Sequence, residues 1–328
     1  MKKNSLLWLV MLLFVITACG NAEGINQTEG MESVSIVLDW TPNTNHTGLY
    51  VAEAKGYFEE EGLDVDIILP GESGADQFVA SGQADFGISS QQAVTEARIQ
   101  DIPLVSVAAI IQNNTSGFAS PVDKGISSPA DYANRTYGGY GAPIESAFLG
   151  ALMEEENASV DDVEIMNIGN TDFFTAFERD VDFIWIYYGW TGIEAEVRGI
   201  ELKVQYLNEY SEELDYHTPV ITTNERMIKD KSEVIKRFLS AVSKGYQDAI
   251  TKPEESASLL LDAVPDLDAD LVHASQVWLA DKYQADAEQW GIQSETVWNN
   301  FANWMLNNDL LDEELDIQEA FTNDYLPQ

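Results

Sequence analysis

The sequence predicts an α/β protein built from two similar lobes, and three patterns support this. Between residues 33 and 111, segments with the period-two alternation of strands alternate with helix-like segments. The same alternation returns between residues 136 and 184. After Thr222, apolar residues recur at helical spacing alone, which predicts four or five packed helices without a strand. Alternating strands and helices indicate βαβ units around largely parallel sheets.

The first block begins with a strand in which Val34, Ile36 and Leu38 share one face, and Gly62 ends the helix that follows. Its predicted strands are residues 33–39, 63–69, 85–88 and 104–111, and its predicted helices are residues 49–58, 76–81 and 91–100.

The second block repeats this order. Its predicted strands are residues 136–138, 163–168 and 181–184, and its predicted helices are residues 144–155 and 172–177. Residues 77–86 align without a gap on residues 174–183, each as a helix, a tight turn and an Asp-Phe pair entering a strand. This repeat is the basis for expecting two similarly built lobes.

The return to helices predicts a chain that crosses twice between its lobes, near residues 118–123 and 219–223. We therefore expect residues 33–120 and 222–328 to form lobe 1 and residues 121–221 to form lobe 2. Four Trp residues of the helical tail are expected in its core, because large aromatic side chains at helical spacing are typical of packed helices: Trp278, Trp290, Trp298 and Trp304.

The first nineteen residues have the pattern of an export signal. Lys2 and Lys3 precede an apolar run over residues 6–16, which is shorter than a membrane-spanning helix requires. The tetrapeptide ITAC that ends at Cys19 resembles the lipobox of bacterial lipoproteins, which implies cleavage and lipidation at Cys19; a plain signal peptide is the alternative. Cys19 is the only cysteine, so it has no disulfide partner. Residues 20–32 are small and polar and are expected to tether the protein to the outer side of the cell membrane.

The charge excludes several classes of partner. The chain has 17 basic and 56 acidic residues, a net charge of −39, and loss of Lys2 and Lys3 would leave 15 against 56, or −41. Nucleic acids and anionic lipids both bind clusters of Lys and Arg, so neither is expected as a partner. The acidity suggests surroundings of high pH or high salt. With 45 % hydrophobic residues the chain can still form a large core.

The segment DWTPNTNHTGLY, which begins at Asp39, joins the first strand to the first helix. Ligands of open α/β sheets bind at the carboxyl ends of strands, where this loop lies. Trp40 could stack on a planar heterocycle while Asn45 and His46 supply hydrogen bonds. The alternative for the Asn and Thr residues is capping of the helix.

The segment DWTPNTNHTGLYVAEAKGYFEEEGLDV closely resembles the opening of the thiamine-pyrimidine, or NMT1/THI5-like, family, and DFGISSQ, GIxSPADY and DFIWIYYGWTGIEAE continue the match. The resemblance implies a type II periplasmic-binding-protein fold with a ligand cleft between the lobes. It also implies binding of N-formyl-4-amino-5-aminomethyl-2-methylpyrimidine, a thiamine precursor, for import by an ABC permease and its ATPase.

A second aromatic segment, residues 185–194, follows a predicted strand. Tyr187, Tyr188 and Trp190 could cover the opposite face of a stacked ligand. Glu194 could pair with an amino group and ring nitrogen of an aminopyrimidine, because a carboxylate can accept both donors; pairing with the start of its own helix is the alternative.

The third segment is the glycine-rich loop of residues 138–146, from which Tyr140 and Glu145 are expected to contact the ligand. It has no Lys or Arg, which favours a neutral heterocycle over a phosphate. Polar residues after the third strand, including Gln92, are further candidate contacts.

The sequence predicts a binding protein rather than an enzyme. By resemblance, the pyrimidine synthases of the family need a reactive lysine and histidine and a cysteine cluster, but residues 91–99 (QQAVTEARI) contain neither lysine nor histidine. No Ser-His-Asp set, metal-ligand spacing or P-loop is present, so no catalytic residue, metal or cofactor is expected. A riboflavin-like heterocycle, a sulfonate or taurine remains an alternative ligand, and a pyrimidine-synthase-like enzyme is the more remote one.

Overall fold

The computed structural model describes residues 30–71, 74–169, 171–178 and 181–328. The predicted signal segment, Cys19 and the tether up to residue 29 lie outside these residues. Within the described parts of the chain, no helix combines the length and the apolar character needed to cross a membrane.

Ten strands are described, in two sheets of five. In chain order they are β1 Glu32–Val37, β2 Leu63–Ile68, β3 Phe86–Ser89, β4 Leu104–Ala109, β5 Ser116–Pro121, β6 Thr136–Gly139, β7 Glu164–Asn167, β8 Phe183–Tyr187, β9 Leu202–Tyr206 and β10 Val220–Asn224.

The helices that surround these sheets are α1 Thr47–Ala54, α2 Tyr57–Glu60, α3 Gly74–Ser81, α4 Gln91–Ile99, α5 Pro143–Glu155, α6 Phe173–Phe177, α7 Ile193–Val197, α8 Leu207–Tyr210, α9 Glu225–Asp230, α10 Ser232–Thr251, α11 Pro253–Ala263, α12 Ala269–Leu279, α13 Glu295–Asn307 and α14 Ile317–Ala320. The helix predicted over residues 49–58 is in fact two, because Gly56 adopts a left-handed conformation (φ 73°) between α1 and α2.

The two sheets have the same construction, in agreement with the repeat in the sequence. Their orders are β2-β1-β3-β10-β4 in lobe 1 and β7-β6-β8-β5-β9 in lobe 2. In each sheet the first three strands are parallel, and the fourth is antiparallel to both of its neighbours. The predicted α/β fold of two similar lobes is therefore confirmed.

The fourth strands show where the chain passes between lobes. β5 already belongs to the sheet of lobe 2, so the first crossing precedes Ser116 rather than lying near residues 118–123. β10 returns to lobe 1, so the second crossing ends before Val220. This strand extends two residues into the tail that was predicted to contain helices alone, and the described elements after it are helices. The strand β5 follows the first crossing directly and β10 follows the second, so each crossing segment leads into the antiparallel strand of a sheet.

Each lobe has its own core, but helix α13 contributes to both. Trp298 packs with residues of lobe 1, such as Val37 and Val220, whereas Trp304 and Phe301 join the core of lobe 2 around Phe148. The assignment of all residues after 222 to lobe 1 is thus too simple, since α13 spans the two cores. As predicted, Trp290, Trp298 and Trp304 are buried.

Candidate functional site

The candidate site lies where the carboxyl ends of β1 and β3 in lobe 1 face those of β6 and β8 in lobe 2. The two lobes touch here, since Ser275 of α12 bonds the Thr44 hydroxyl at 2.5 Å and also donates to the carbonyl of Gly189, just after β8. The predicted ligand-binding segments all begin at these four strand ends.

The loop after β1 is fixed by its own polar groups. The Asn43 side chain accepts from the N–H of Asn45 at 2.9 Å, and the Asn43 N–H donates to Nδ1 of His46 at 3.2 Å. Because Nδ1 accepts, the ring proton of neutral His46 is on Nε2, which donates to Oδ1 of Asp39 at 2.8 Å. Trp40, beside this bonded pair, leaves 56 % of its surface exposed.

Helix α10 and the segment after α12 hold the backbone of the same loop by hydrogen bonds. The hydroxyl of Tyr246 donates to the carbonyl of Asn45 at 2.6 Å, and that of Tyr283 donates to the carbonyl of Thr44 at 2.7 Å. A Cβ at Gly245 would overlap the carbonyl of Gly48, so α1 and α10 pack in backbone contact. The exposed Trp40 ring therefore projects from a rigid base.

In lobe 2, Glu145 organises the glycine-rich loop. Its side chain is only 3 % exposed and accepts hydrogen bonds from the Tyr137 hydroxyl (2.6 Å) and the N–H groups of Tyr140 (2.9 Å) and Ala142 (2.7 Å). These donors occupy the carboxylate, so the structure gives Glu145 a role in shaping the loop. Contact with a ligand would fall to Tyr140, which is 43 % exposed.

Tyr187, at the end of β8, presents the second exposed ring of lobe 2. The residue is 37 % exposed. The pKa of its phenol is raised, mainly by burial of the hydroxyl; the nearby hydroxyls of Thr218 and Tyr216 oppose this, and the negative charge of Asp39 raises the pKa further. Tyr187 and Asp39 are thus within electrostatic reach across the cleft. Tyr140 lies close by, since its hydroxyl donates to the carbonyl of Trp185 at 3.4 Å.

Tyr188 and Trp190 have protein partners instead of open faces. Tyr188 begins a π-helical turn and packs against Trp278 of lobe 1 (5.3 Å between ring centroids) and Tyr206 (5.7 Å). Trp190 packs against apolar residues of α11, of α12 and of the segment between these helices, among them Leu260 of α11. The structure places both rings in the contact between lobes, whereas the sequence predicted them against a ligand.

Two further predicted contacts are engaged within their own helices. Glu194 forms an ion pair with Arg198, whose guanidinium lies 3.9 Å from the centre of the Phe174 ring. Gln92 donates to the carboxylate of Glu96 at 2.9 Å. Direct contact of Glu194, Gln92 or Asn45 with a ligand stays a prediction.

The structure adds two carboxylates that sequence reasoning did not select, Asp39 and Asp76. Asp39 stands next to Trp40 and is exposed to the cleft, so its position in the motif was the available signal. Asp76 lies on α3; burial raises the pKa of its carboxyl, the Ser89 hydroxyl opposes this, and the charges of Asp39 and Glu96 raise it further. Asp39 and Asp76 are 37 positions apart, and only the packing of α3 beside β3 brings them together.

Two cavities accompany the cleft, of about 320 and 250 Å³. The first lies at the crossing segments, between Asn113 and Trp278, and the second lies behind the glycine-rich loop beside Glu145. Trp40 and Tyr187 line neither of them. Among the described residues, no group of three or more His, Cys, Asp or Glu side chains is placed to hold a metal ion.

Comparison with known proteins places this geometry in context. The family model described as NMT1/THI5 like matches residues 43–256. The chain is 27 % identical to a formylaminopyrimidine-binding protein of Halalkalibacterium halodurans, over 98 % of this chain and 99 % of that one. It is 25 % identical to the riboflavin-binding protein RibY of Chloroflexus aurantiacus, over 100 % and 99 %.

Solved structures agree on the fold. The periplasmic aliphatic sulphonate-binding protein SsuA of Escherichia coli superposes with a TM-score of 0.68 at 14 % identity, covering 90 % of this chain and 94 % of SsuA. The ligand-binding component of an ABC-type import system from Staphylococcus aureus superposes with a TM-score of 0.69 at 10 % identity, covering 90 % and 98 %. The type II periplasmic-binding-protein fold expected from the sequence is thus confirmed.

Proposed function

The chain belongs to the NMT1/THI5-like family, and from this premise we propose that it is the solute-binding component of an ABC importer for a thiamine-pyrimidine precursor. The proposed ligand is N-formyl-4-amino-5-aminomethyl-2-methylpyrimidine. The protein binds this molecule between its lobes and presents it to a permease with its ATPase, without making or breaking a bond.

One observation carries this proposal: three aromatic rings near strand ends of the two lobes are exposed. Trp40 of lobe 1 and Tyr140 and Tyr187 of lobe 2 are among the most exposed large apolar side chains described. Exposed aromatic rings of this kind are typical of a stacking site for a planar ligand. Closure of the lobes by a hinge motion, known for periplasmic binding proteins, would cover both faces of the pyrimidine.

The charge of the cleft supports a heterocycle over an anion. The four loops at the strand ends, residues 40–46, 89–92, 138–146 and 185–194, contain no Lys or Arg. A sulfonate would require such groups or helix N-termini for its charge. Residues 91–99, which form α4, also contain no lysine or histidine with which a synthase could react, which supports binding without chemistry.

The test is calorimetric titration of the mature protein with the formylaminopyrimidine, riboflavin and taurine, together with mass spectrometry of any molecule that copurifies. We expect micromolar or tighter binding of the pyrimidine and its recovery unchanged. Binding of riboflavin or taurine alone, or consumption of the pyrimidine, would contradict the proposal.

We further propose that the protein is exported and held at the outer face of the cell membrane by lipid on Cys19. The ITAC tetrapeptide and the polar residues 20–32 support this. Replacement Cys19→Ser should release the protein from the membrane fraction, whereas Ser5→Ala, in the signal region, should leave it bound. Retention of Cys19→Ser at the membrane would exclude lipid anchoring.

A further inference from the structure

Asp39 is a carboxylate held in one orientation at the mouth of the cleft. Its Oδ1 accepts from Nε2 of His46 at 2.8 Å, and His46 is itself fully buried and fixed through Nδ1 by the N–H of Asn43. The Asp39 side chain is still 37 % exposed. One carboxylate oxygen is therefore engaged by the protein, and no described residue donates a hydrogen bond to the other.

A second carboxylate, Asp76, lies behind it with unsatisfied polar atoms. Oδ1 of Asp76 is buried and, within the described parts of the chain, has no hydrogen-bond partner. The hydroxyl of Ser89, a residue only 7 % exposed at the end of β3, lies close enough to this carboxyl to lower its pKa, and among the described residues it has no other polar partner. Burying such atoms unpaired is costly, so they point to a group supplied from outside.

Among the described residues, the charges that act on the Asp76 carboxyl are negative. Asp76 faces Asp39 on the loop after β1 and Glu96 on α4, and both charges disfavour its ionisation. Apart from His46 and Asp76, Asp39 acts on the phenols of Tyr187 and Tyr246, which are neutral at physiological pH. A cation placed between the carboxylates would relieve this repulsion.

We propose that Asp39 and Asp76 form an acidic subsite that binds a cationic, amidine-like N–H edge of the ligand, with His46 as the positioning residue of Asp39. The proposal rests on the proposed function and narrows its ligand class. A 4-aminopyrimidine protonated at N3, the ring nitrogen next to the carbon that carries the amino group, presents two parallel N–H donors, as an amidinium does, and fits such a pair of acceptors. The subsite would reject anions by repulsion.

The first test is titration of Asp39→Asn and Asp76→Asn with the formylaminopyrimidine at constant pH. Each variant retains its shape and loses its charge, and Asp39→Asn can still accept from His46. We expect each to bind about 10- to 100-fold more weakly, as for loss of a charge-assisted hydrogen bond. Asp161→Asn, an exposed acid before β7 on the far side of lobe 2, is the matched control and should bind as the native protein does.

Stability of the ligand-free protein separates this role from a structural one. The pKa of Asp76 is raised in the folded state, so ionised Asp76 destabilises the fold as the pH rises through that pKa. Asp76→Asn should therefore melt higher than the native protein near neutral pH, with the difference shrinking as the pH falls. A residue that only supports the fold would melt lower when replaced.

Benzamidinium, an amidinium that is cationic at neutral pH, distinguishes failure of the subsite from failure of the proposed function. If the native protein binds the pyrimidine but both Asn variants bind it equally well, or Asp76→Asn melts lower, the subsite is refuted and the function stands. If the native protein does not bind the pyrimidine but binds benzamidinium, and the Asn variants lose benzamidinium binding, the proposed function is refuted and the subsite stands. His46→Gln should weaken benzamidinium binding in the same way as Asp39→Asn.

Discussion

Replacing Trp40 by Ala should abolish most of the stacking energy while leaving the fold intact. A Trp side chain has about 250 Å² of surface, so 56 % exposure leaves about 140 Å² open. A ligand stacked on one face would cover about 70 Å², which at about 25 cal/mol per Å² is about 2 kcal/mol. Face-to-face aromatic contact adds about 0.5–1.5 kcal/mol. We therefore expect a loss of about 2.5–3.5 kcal/mol, which is about a 60- to 300-fold loss of affinity.

Calorimetric titration of Trp40→Ala and Trp40→Phe with the formylaminopyrimidine measures this loss, and Trp40→Phe should recover part of it. Because the ring is exposed, urea unfolding of Trp40→Ala should give a free energy within about 0.5 kcal/mol of the native value. Leu69→Ala, which removes another exposed apolar side chain from lobe 1, is the control for nonspecific effects. Native affinity in Trp40→Ala would refute the placement of the site, and a large loss of stability would refute the inference that this ring is free.

Three further predictions concern the support of the cleft. The carboxylate of Asp215 accepts hydrogen bonds from the Asn113 side chain (2.7 Å) and from two other donors at the crossing segments. Replacement Asp215→Ala should therefore lower the free energy of unfolding, measured in urea, by about 2–3 kcal/mol. A loss below about 0.5 kcal/mol would contradict this prediction. Burial lowers the pKa of His217 below its ordinary 6.5, so the stability that neutral His217 contributes is present above pH 6.5 and is lost as the pH falls. Between pH 6.5 and 5, the free energy of unfolding of His217→Gln should therefore decrease less than that of the native protein. Equal pH profiles of the two proteins would count against this prediction. Replacement Glu145→Ala leaves three hydrogen-bond donors without their acceptor and should lower the free energy of unfolding by about 2–4 kcal/mol. It should also weaken ligand binding, because Glu145 holds the backbone of Tyr140. Unchanged unfolding and affinity would exclude the role of Glu145 in the loop.

The parallel strands and their helices were predictable because their signals are local. The strand predicted over residues 33–39 corresponds to β1 Glu32–Val37, and the helix predicted over residues 91–100 corresponds to α4 Gln91–Ile99. An alternating face or a helical stripe is visible in a few consecutive residues, whatever they pack against. The loops that end these strands were identified for the same reason.

The strands β5 and β10 were not predictable in this way. Every residue of β10 (VITTN) is buried, as is nearly all of β5 (SGFASP), so neither strand alternates between apolar and polar residues. The polar side chains of β10 are satisfied by distant groups, such as the carbonyl of Val79, which accepts from Asn224 at 2.8 Å. A strand covered on both faces loses the period-two signal by which sequence reasoning finds it.

By itself, the sequence determined two lobes of βαβ units, the absence of basic residues from the four loops, and the aromatic character of the cleft. The tertiary structure decided which rings are free, since Trp40 and Tyr187 face the cleft whereas Tyr188 packs on Trp278. It also brought the carboxylates of Asp39 and Asp76 within electrostatic range of each other. Composition and periodicity are properties of neighbouring residues, but exposure and charge coupling depend on contacts between residues far apart in the chain, and these exist only once the lobes are folded.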